Sequence, residues 1–318
     1  MPEINIGEAA TAGLRMMGRQ PLAVLCWGLL MALYVGVLFL LFGGGIAAAI
    51  SSIVATGGGQ PAPAQILALI GAGFGFFFFL FVGGQMLALV FRAAAIRAEL
   101  EPEASAFAYM RFGGQELWVL GASLVFWLVL FAANVVMAIP IGIISIATVA
   151  GSVASAAHDG APAMAGTFAA MSGVRIIGQL IVTGVSIWLW LRLCLGIVMT
   201  FKEQQFRLFE SWSATRGHVW RMFLTMLIVG LIEFAVGLVM FIIASITAGV
   251  TIAAIAQDPR TFFSQPPTVW LGAMTPLLVV GLIWIVVSTS TSNALAWGAV
   301  ARMWRQLHPD SDVAKTFV

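Results

Sequence analysis

Residues Pro21–Ile50 read PLAVLCWGLLMALYVGVLFLLFGGGIAAAI, thirty positions without one acidic or basic side chain. An α-helix rises about 1.5 Å per residue, so roughly 20 apolar residues cross the ~30 Å hydrocarbon core of a bilayer. Comparable runs occupy Ile66–Phe91, Leu117–Ala150, Ile176–Phe201, Met222–Ala256 and Val269–Val300. Continuous apolar character, without strict alternation, predicts helices and not a membrane β-barrel. Hydrophobic residues make up 61% of the 318 positions and charged residues 9%, with a mean hydropathy of +1.03. A soluble domain carries about a quarter charged residues on its surface. Here lipid must do most of the covering. The expected fold is an all-α integral membrane protein, one membrane domain with six transmembrane helices.

The first run is too long for a signal peptide and no small-residue cleavage pattern closes it, so it reads as a mature helix. A net charge of +2 gives no footprint for nucleic acid. Cys26 and Cys194 both fall inside apolar runs and read as packing thiols. No spacing of His, Cys, Asp or Glu suits a metal, and no motif calls for a cofactor.

The basic residues are lopsided. Arg15, Arg19, Arg92, Arg97, Arg111, Lys202, Arg207, Arg216, Arg221, Arg302, Arg305 and Lys315 fall on one set of connections, and only Arg175 and Arg260 on the other. The positive-inside rule then puts both termini in the cytoplasm, in agreement with an even number of spans. The opposite loops, near Thr56–Gln65, His158–Arg175 and Gln257–Thr268, are rich in small residues and proline.

The cytoplasmic connections resemble one another. Glu8–Arg19, Ala104–Gln115 and Leu208–His218 each carry a small residue (Ala12, Ala108, Ser211) six positions before a glycine (Gly18, Gly114, Gly217), and each leads into a membrane run. Arg15, Arg111 and Arg216 recur close to those glycines. The unit reads as an interfacial amphipathic helix plus a helical hairpin, three times over: about 4–98, 103–202 and 205–308, followed by a polar tail at 309–318. Apolar faces such as Ile6, Ala9, Ala10 and Leu14, or Phe206, Phe209 and Trp212, suit a helix lying flat at the headgroup boundary. Such helices serve as elbows, as lipid or partner sites, or as both. Arg15, Arg111, Ser211, Trp212, Arg216, Trp220 and Arg221 are the candidate headgroup residues.

Two ionisable residues lie deep in apolar runs, Arg192 and Glu233. Each costs about 2.5–3.5 kcal/mol or more at the bilayer centre unless it finds a partner or water. Counting back from Lys202 and forward from Arg221 puts both roughly 15–18 Å from the cytoplasmic boundary. They sit on consecutive spans, so a midplane ion pair is the expectation. Tyr34, Gln85 and Asn293 come near the same level, which suggests a polar belt. The belt either locks the bundle or lines a polar path. Gly71, Gly73, Gly75, Gly83 and Gly84 give the second span a small-residue face suited to close helix packing.

Groups for chemistry are missing. No Ser-His-Asp set can be assembled, and the histidines are His158, His218 and His308. The acids Glu99, Glu101, Glu103, Glu116, Glu203 and Glu210 are scattered along the chain and read as solvated surface. The expectation is a protein that is not an enzyme.

From Trp190 the chain reads WLRLCLGIVMTFKE, and from Ser211 SWSATRGHVWRMF. Arg192, Glu203 and the run Ser211, Trp212, Thr215, Gly217, Trp220, Arg221 resemble the six-span membrane domains of bacterial glycerophosphoryl diester phosphodiesterases and the related YciC-like integral membrane proteins. The likeness covers about 35 residues, with architectural similarity elsewhere. It implies a bacterial cytoplasmic (inner) membrane protein of this topology, and Arg192 with the Ser211–Arg221 elbow as part of its core. The soluble catalytic domain of some members has no counterpart here, so the resemblance implies no phosphodiesterase activity. The expected function is lipid interaction or envelope organisation. The expected partners are membrane lipids and a further copy or another membrane protein. A transporter or channel for a small or amphiphilic solute is the alternative.

Overall fold

The computed structural model of the chain describes residues 3–54, 62–103, 106–111, 113–159, 161–257 and 267–308. The tail at 309–318, Arg260, and the side chains of His158, Asp159 and Arg175 lie outside the described residues. In chain order the helices are α1 (Ile6–Ala10), α2 (Ala12–Arg19), α3 (Pro21–Val54), α4 (Pro63–Leu100), α5 (Gly114–Asp159), α6 (Ala161–Glu203), α7 (Ser211–Ala214), α8 (Val219–Gln257), α9 (Pro267–Ser292) and α10 (Gly298–Leu307). A tight turn at Ala106–Tyr109 precedes α5, and a π-helical turn at Asn293–Trp297 joins α9 to α10. No strand occurs among the described residues.

Six segments are long and apolar enough to cross a membrane: Pro21–Ile53, Pro63–Leu100, Ala106–Thr148, Ile176–Glu203, Val219–Ala253 and Gly272–Leu307. Their outer faces are apolar, with Leu22, Leu40 and Phe74 among the most exposed side chains. A surface of this kind needs lipid around it.

Two expectations change. The loop read at His158–Arg175 is helical, since α5 continues to Asp159 and α6 begins at Ala161. The stretch is rich in alanine, the strongest helix former, and Pro162 falls in the first turn of α6, where proline is tolerated. The three elbows also fold differently from one another. The first is helical, α1 and α2, with the Glu8 N–H donating to the Asn5 side chain at 3.1 Å. The second is no amphipathic helix. Phe107, Ala108 and Tyr109 are left-handed, with φ of 55°, 55° and 64°. Their carbonyls are taken from outside: the Trp27 indole donates to Ala108 O at 2.9 Å and Arg97 Nη1 to Tyr109 O at 2.6 Å. The third is one short helix, α7, followed by Gly217 at φ +85°. Among the three elbow glycines, this is the one position that needs the freedom only glycine has at low cost.

The chain divides into two compact units, Met1–Phe112 with Leu224–Val318, and Gly113–Phe223. In the first unit α3 packs between α4 and α9. The Tyr34 hydroxyl donates to the Phe79 carbonyl, and Gly83 leaves room for the Tyr34 ring. Phe39 meets Phe76 at 5.1 Å between ring centres, and Phe42 meets Phe79 at 5.8 Å. Across α3, a methyl group on Gly28 would overlap the Val286 carbonyl oxygen and Ser290 Oγ. Ser290 Oγ donates to Val24 O at 2.8 Å in the same crossing. The glycine face expected on α4 is therefore only partly used. Gly75 and Gly83 meet side chains of α3, while Gly71, Gly73 and Gly84 face open space.

In the second unit α5 and α6 pack along each other. Asn134 donates to Ser186 Oγ at 3.1 Å and to Leu130 O at 2.8 Å. Ile141 fills the space beside Gly178.

The α3–α9 crossing gives a contrast. Gly28→Ala should destabilise the fold by about 1–3 kcal/mol, because backbone and not a flexible side chain occupies the space. Gly84→Ala should be neutral or slightly stabilising. Thermal aggregation of the detergent-solubilised proteins, followed by size-exclusion chromatography, checks the pair.

Candidate functional site

Polar side chains gather where an elbow seats on the end of a span, and three such junctions exist. In the second unit the chain leaves α6 at Glu203, turns through Gln204 at φ 53°, and runs back along the helix. Arg192, Gly196 and Thr200 are spaced four apart and so share one helix face. Thr200 Oγ1 accepts the Arg207 N–H at 3.2 Å and donates to Gly196 O at 2.7 Å. A Cβ on Gly196 would stand 2.5 Å from Leu208 O and 2.7 Å from Leu208 Cα, so only glycine admits the returning chain. Ser211 Oγ lies 2.8 Å from Arg192 O and 2.6 Å from Leu208 O.

The Arg192 guanidinium is directed to this elbow. Its Nη1 donates to Thr215 Oγ1 at 3.2 Å and to Trp212 O at 3.3 Å. Its Cζ lies 5.3 Å from the Trp212 ring centre and 5.8 Å from that of Trp188. The two indoles meet edge to face at 5.0 Å. Planar, weakly hydrated arginine suits a place between indoles better than lysine does. On the outer side of the elbow, Arg207 pairs with Glu203 at 2.5 Å and Glu210 at 2.7 Å.

In the first unit, α1 and α2 seat on the π turn and α10. A Cβ on Gly13 would stand 2.5 Å from both Ala294 O and Leu295 Cα, and one on Gly298 3.2 Å from Gly13 Cα. Arg302 ties the contact together. Its Nη2 pairs with the Glu8 carboxylate, and its Nη1 reaches Glu99 Oε1 of α4 at 3.4 Å. Gln306 donates to Glu8 Oε2 at 3.1 Å and accepts the Asn5 N–H at 3.1 Å. The Glu8 carboxyl lies below the ordinary carboxylate value of 4.5, chiefly through its hydrogen bond with Arg302. The third junction is the Ala106–Tyr109 turn on α3 and α4. Arg97, buried, holds the Tyr109 carbonyl, and the Tyr109 hydroxyl donates to Pro102 O at 2.9 Å. Beside it, the buried Arg92 lies 4.3 Å from the Trp297 ring centre.

The residues singled out in the sequence are placed as follows. Ser211 and Trp212 share the Arg192 junction. Arg15 donates to Glu8 O in the α1–α2 elbow. Arg111 and Arg216 are exposed, and Arg221 is half-buried. Trp220 is exposed and stacks on Phe223 at 5.3 Å. Tyr34 and Asn293 donate to backbone carbonyls, Asn293 to Thr289 O at 2.8 Å, whereas Gln85 is exposed. Glu233 stands on α8 in the first unit, half-buried, with Oε1 buried and without a hydrogen-bond partner. Its expected partner Arg192 belongs to the second unit. Glu8 and Gln306 drew no attention in the sequence, Arg302 counted only toward orientation, and Glu99, read there as solvated surface, is 13% exposed and paired with Arg302. The one local signal was Asn5 three residues before Glu8, the spacing of a helix N-cap.

Removing Arg302 should cost more than removing Glu8. Arg302→Ala strands Glu99, whose side chain is 13% exposed, and should lose about 3–5 kcal/mol. Glu8→Gln keeps a hydrogen-bond acceptor and should lose about 1 kcal/mol or less. Because the Glu8 value is lowered on folding, its contribution is complete above the ordinary carboxylate range and is lost as pH falls through the folded value. Hydrogen-exchange protection over residues 6–19, corrected for the intrinsic rate at each pH, should therefore fall on acidification in the wild type and stay level in Glu8→Gln. No family model, curated protein or solved structure matches the chain.

Proposed function

We propose that this is a non-enzymatic six-span protein of the bacterial cytoplasmic membrane that seats its elbows in the headgroup layer and holds membrane lipid there. The observation that carries the reading is the outer surface of the third elbow. Phe206, Phe209, Trp212 and Trp220 are 41%, 56%, 37% and 68% exposed, and the exposed Arg216 lies among them. Exposed aromatic rings on an elbow that also exposes an arginine are poorly placed in water and well placed at the boundary between acyl chains and phosphates. The ion-paired Glu203, Arg207 and Glu210 belong on the wet side of the same boundary. On this reading Arg192, tied to the elbow, lies close to headgroup level, and the boundary crosses α6 well before Lys202.

The finer architecture belongs to the same proposal: three repeats of elbow plus hairpin, with both termini cytoplasmic. The asymmetry of basic residues supports the orientation. The repeat is supported by the arginine that each elbow meets on an even-numbered span: Arg302 of the sixth for the first, Arg97 of the second for the second, Arg192 of the fourth for the third. The likeness of Trp190–Phe223 to the phosphodiesterase membrane domains supports a role for this junction as common core. A carrier or channel for a small or amphiphilic solute is the second reading, favoured by the buried, unpartnered carboxyl oxygen of Glu233.

Polymer-extracted native discs, with lipids quantified against the bulk membrane, provide the test. The expected result is enrichment of an anionic headgroup class around the wild type, and a severalfold smaller enrichment around the double variant Arg216→Gln, Trp220→Ala. Bulk composition around the wild type would remove the lipid-holding reading.

A further inference from the structure

Glu233 has a setting that neither the elbows nor the lipid reading uses. It is placed by the packing of α8. Val229 is fully buried in a cluster with Ala10, Leu295 and Ala299, and Met226 and Ile232 pack against the same cluster. Residues 226, 229 and 233 recur at helical spacing, so Glu233 lies on the face that carries Val229, one turn or about 6 Å further along α8. Consecutive spans run in opposite directions. One turn from Leu295 on the antiparallel segment is Thr291, beside Asn293 and the start of the π turn. The carboxyl is therefore level with the most polar stretch of α9, Ser288–Asn293.

Donors of Ser288, Ser290, Thr291 and Asn293 on that stretch are engaged with backbone carbonyls. Thr291 Oγ1 donates to Val287 O at 2.7 Å, Ser288 Oγ to Ile285 O at 3.3 Å, and the Asn293 amide to Thr289 O at 2.8 Å. A hydroxyl has one hydrogen and two lone pairs, and an amide oxygen accepts only. The three spent hydroxyls consequently offer acceptors, and the Asn293 amide keeps one N–H. An ionised carboxylate is itself acceptor-only, whereas the neutral acid brings one O–H donor. Glu233 Oε1 is buried and accepts no hydrogen bond. The segment Pro267–Trp297 contains no ionisable side chain. On the other elements of the cluster, the charged groups are Arg302 and Arg305 on α10 and Glu8, Arg15 and Arg19 on α1 and α2. Arg302 and Glu8 neutralise one another, and all five lie toward the elbow end of their helices. On α8 itself the nearest charge is Arg221, three turns away.

We propose that Glu233 is an intramembrane proton-binding site, a carboxyl on the Val229 face of α8 whose buried oxygen has no hydrogen-bond partner, held as the neutral acid and able to exchange its proton with water. A carboxyl in hydrocarbon that lacks donors binds a proton in preference to remaining charged. The competing state is the ionised one, paired with Arg192.

Infrared difference spectroscopy on the full chain in lipid nanodiscs separates the two. Wild type minus Glu233→Gln should contain one protonated-carboxyl C=O band, lost in the variant and shifted on transfer to heavy water. Arg192→Met should leave that band in place. Glu233→Gln is a neutral near-isostere, and its monodisperse elution would confirm that the lost band reports the carboxyl and not the fold. No such band in the wild type, or one that emerges only in Arg192→Met, would overturn the proposal in favour of the ion pair. A band that resists heavy water would overturn proton exchange.

Discussion

Between Thr200 and Thr215 the chain reverses and lies back along the helix it has just left, and position 196 has room for a hydrogen atom and nothing larger. That close return sets the shape of the elbow end. Once Leu208 rests on Gly196, Ser211 falls beside the Arg192 carbonyl, and Thr215 and the Trp212 carbonyl fall within reach of the guanidinium. The bonds follow from the contact. In a membrane protein the apolar faces gain little by meeting one another in place of lipid, so close packing and polar contacts carry more of the specificity. The Gly13 and Gly298 approach between the first elbow and the last span is a second solution of the same kind.

The three junctions differ in the chemistry laid over that packing. The third elbow uses a cation between two indoles, the first a cation between two carboxylates, and the second a buried arginine on a backbone carbonyl. Each arginine lies on an even-numbered span: Arg192, Arg302 and Arg97. Guanidinium groups reach several acceptors at once and stay charged when half desolvated. That makes them suited to a span end, where one side of the helix faces lipid and the other a folded-back loop. The left-handed run Phe107–Tyr109 follows from the same demand. Left-handed backbone costs about 1–2 kcal/mol per non-glycine residue. Here it turns two carbonyls toward Trp27 and Arg97, which a helical turn would have kept for itself.

The spans were legible because they rest on composition summed over some twenty residues. Arg192 stood out for the same reason, a charge in an apolar run. Its surroundings did not, because depth was counted along the helix from Lys202 on the assumption that a span leaves the bilayer where it ends. An elbow that folds back along α6 is invisible to such a count. The glycines show the same limit. Gly71-x-x-x-Gly75 has the familiar spacing but half of it faces open space, whereas Gly13, Gly28 and Gly196 carry no local mark and admit backbone from elsewhere in the chain. Glu8, Glu99 and Arg302 come together from the first, second and last parts of the sequence. Nothing within a few residues of any of them announces the other two. The alanine-rich start of α6 was misread in the opposite way, since small residues were taken for loop where their propensity favours helix.

Arg192 and Glu233, the two residues that drew attention together, have unlike settings in their own units. The Arg192 guanidinium already has a hydroxyl, a carbonyl and one ring from the elbow stretch Trp212–Thr215, and a second ring from Trp188 on its own helix. Its Nη1 is served without a carboxylate, while its Nε is buried without a hydrogen-bond partner. Glu233 has a buried carboxyl oxygen with no hydrogen-bond partner and no ionisable side chain on the segment Pro267–Trp297. A residue so provided for has a structural reason to be kept, namely the elbow it fastens. Packing supplies no comparable reason for Glu233, because leucine or methionine would fill its place on the Val229 face of α8 at lower cost. A polar group that the fold does not need, in the solvent where polarity costs most, points to use and not to architecture.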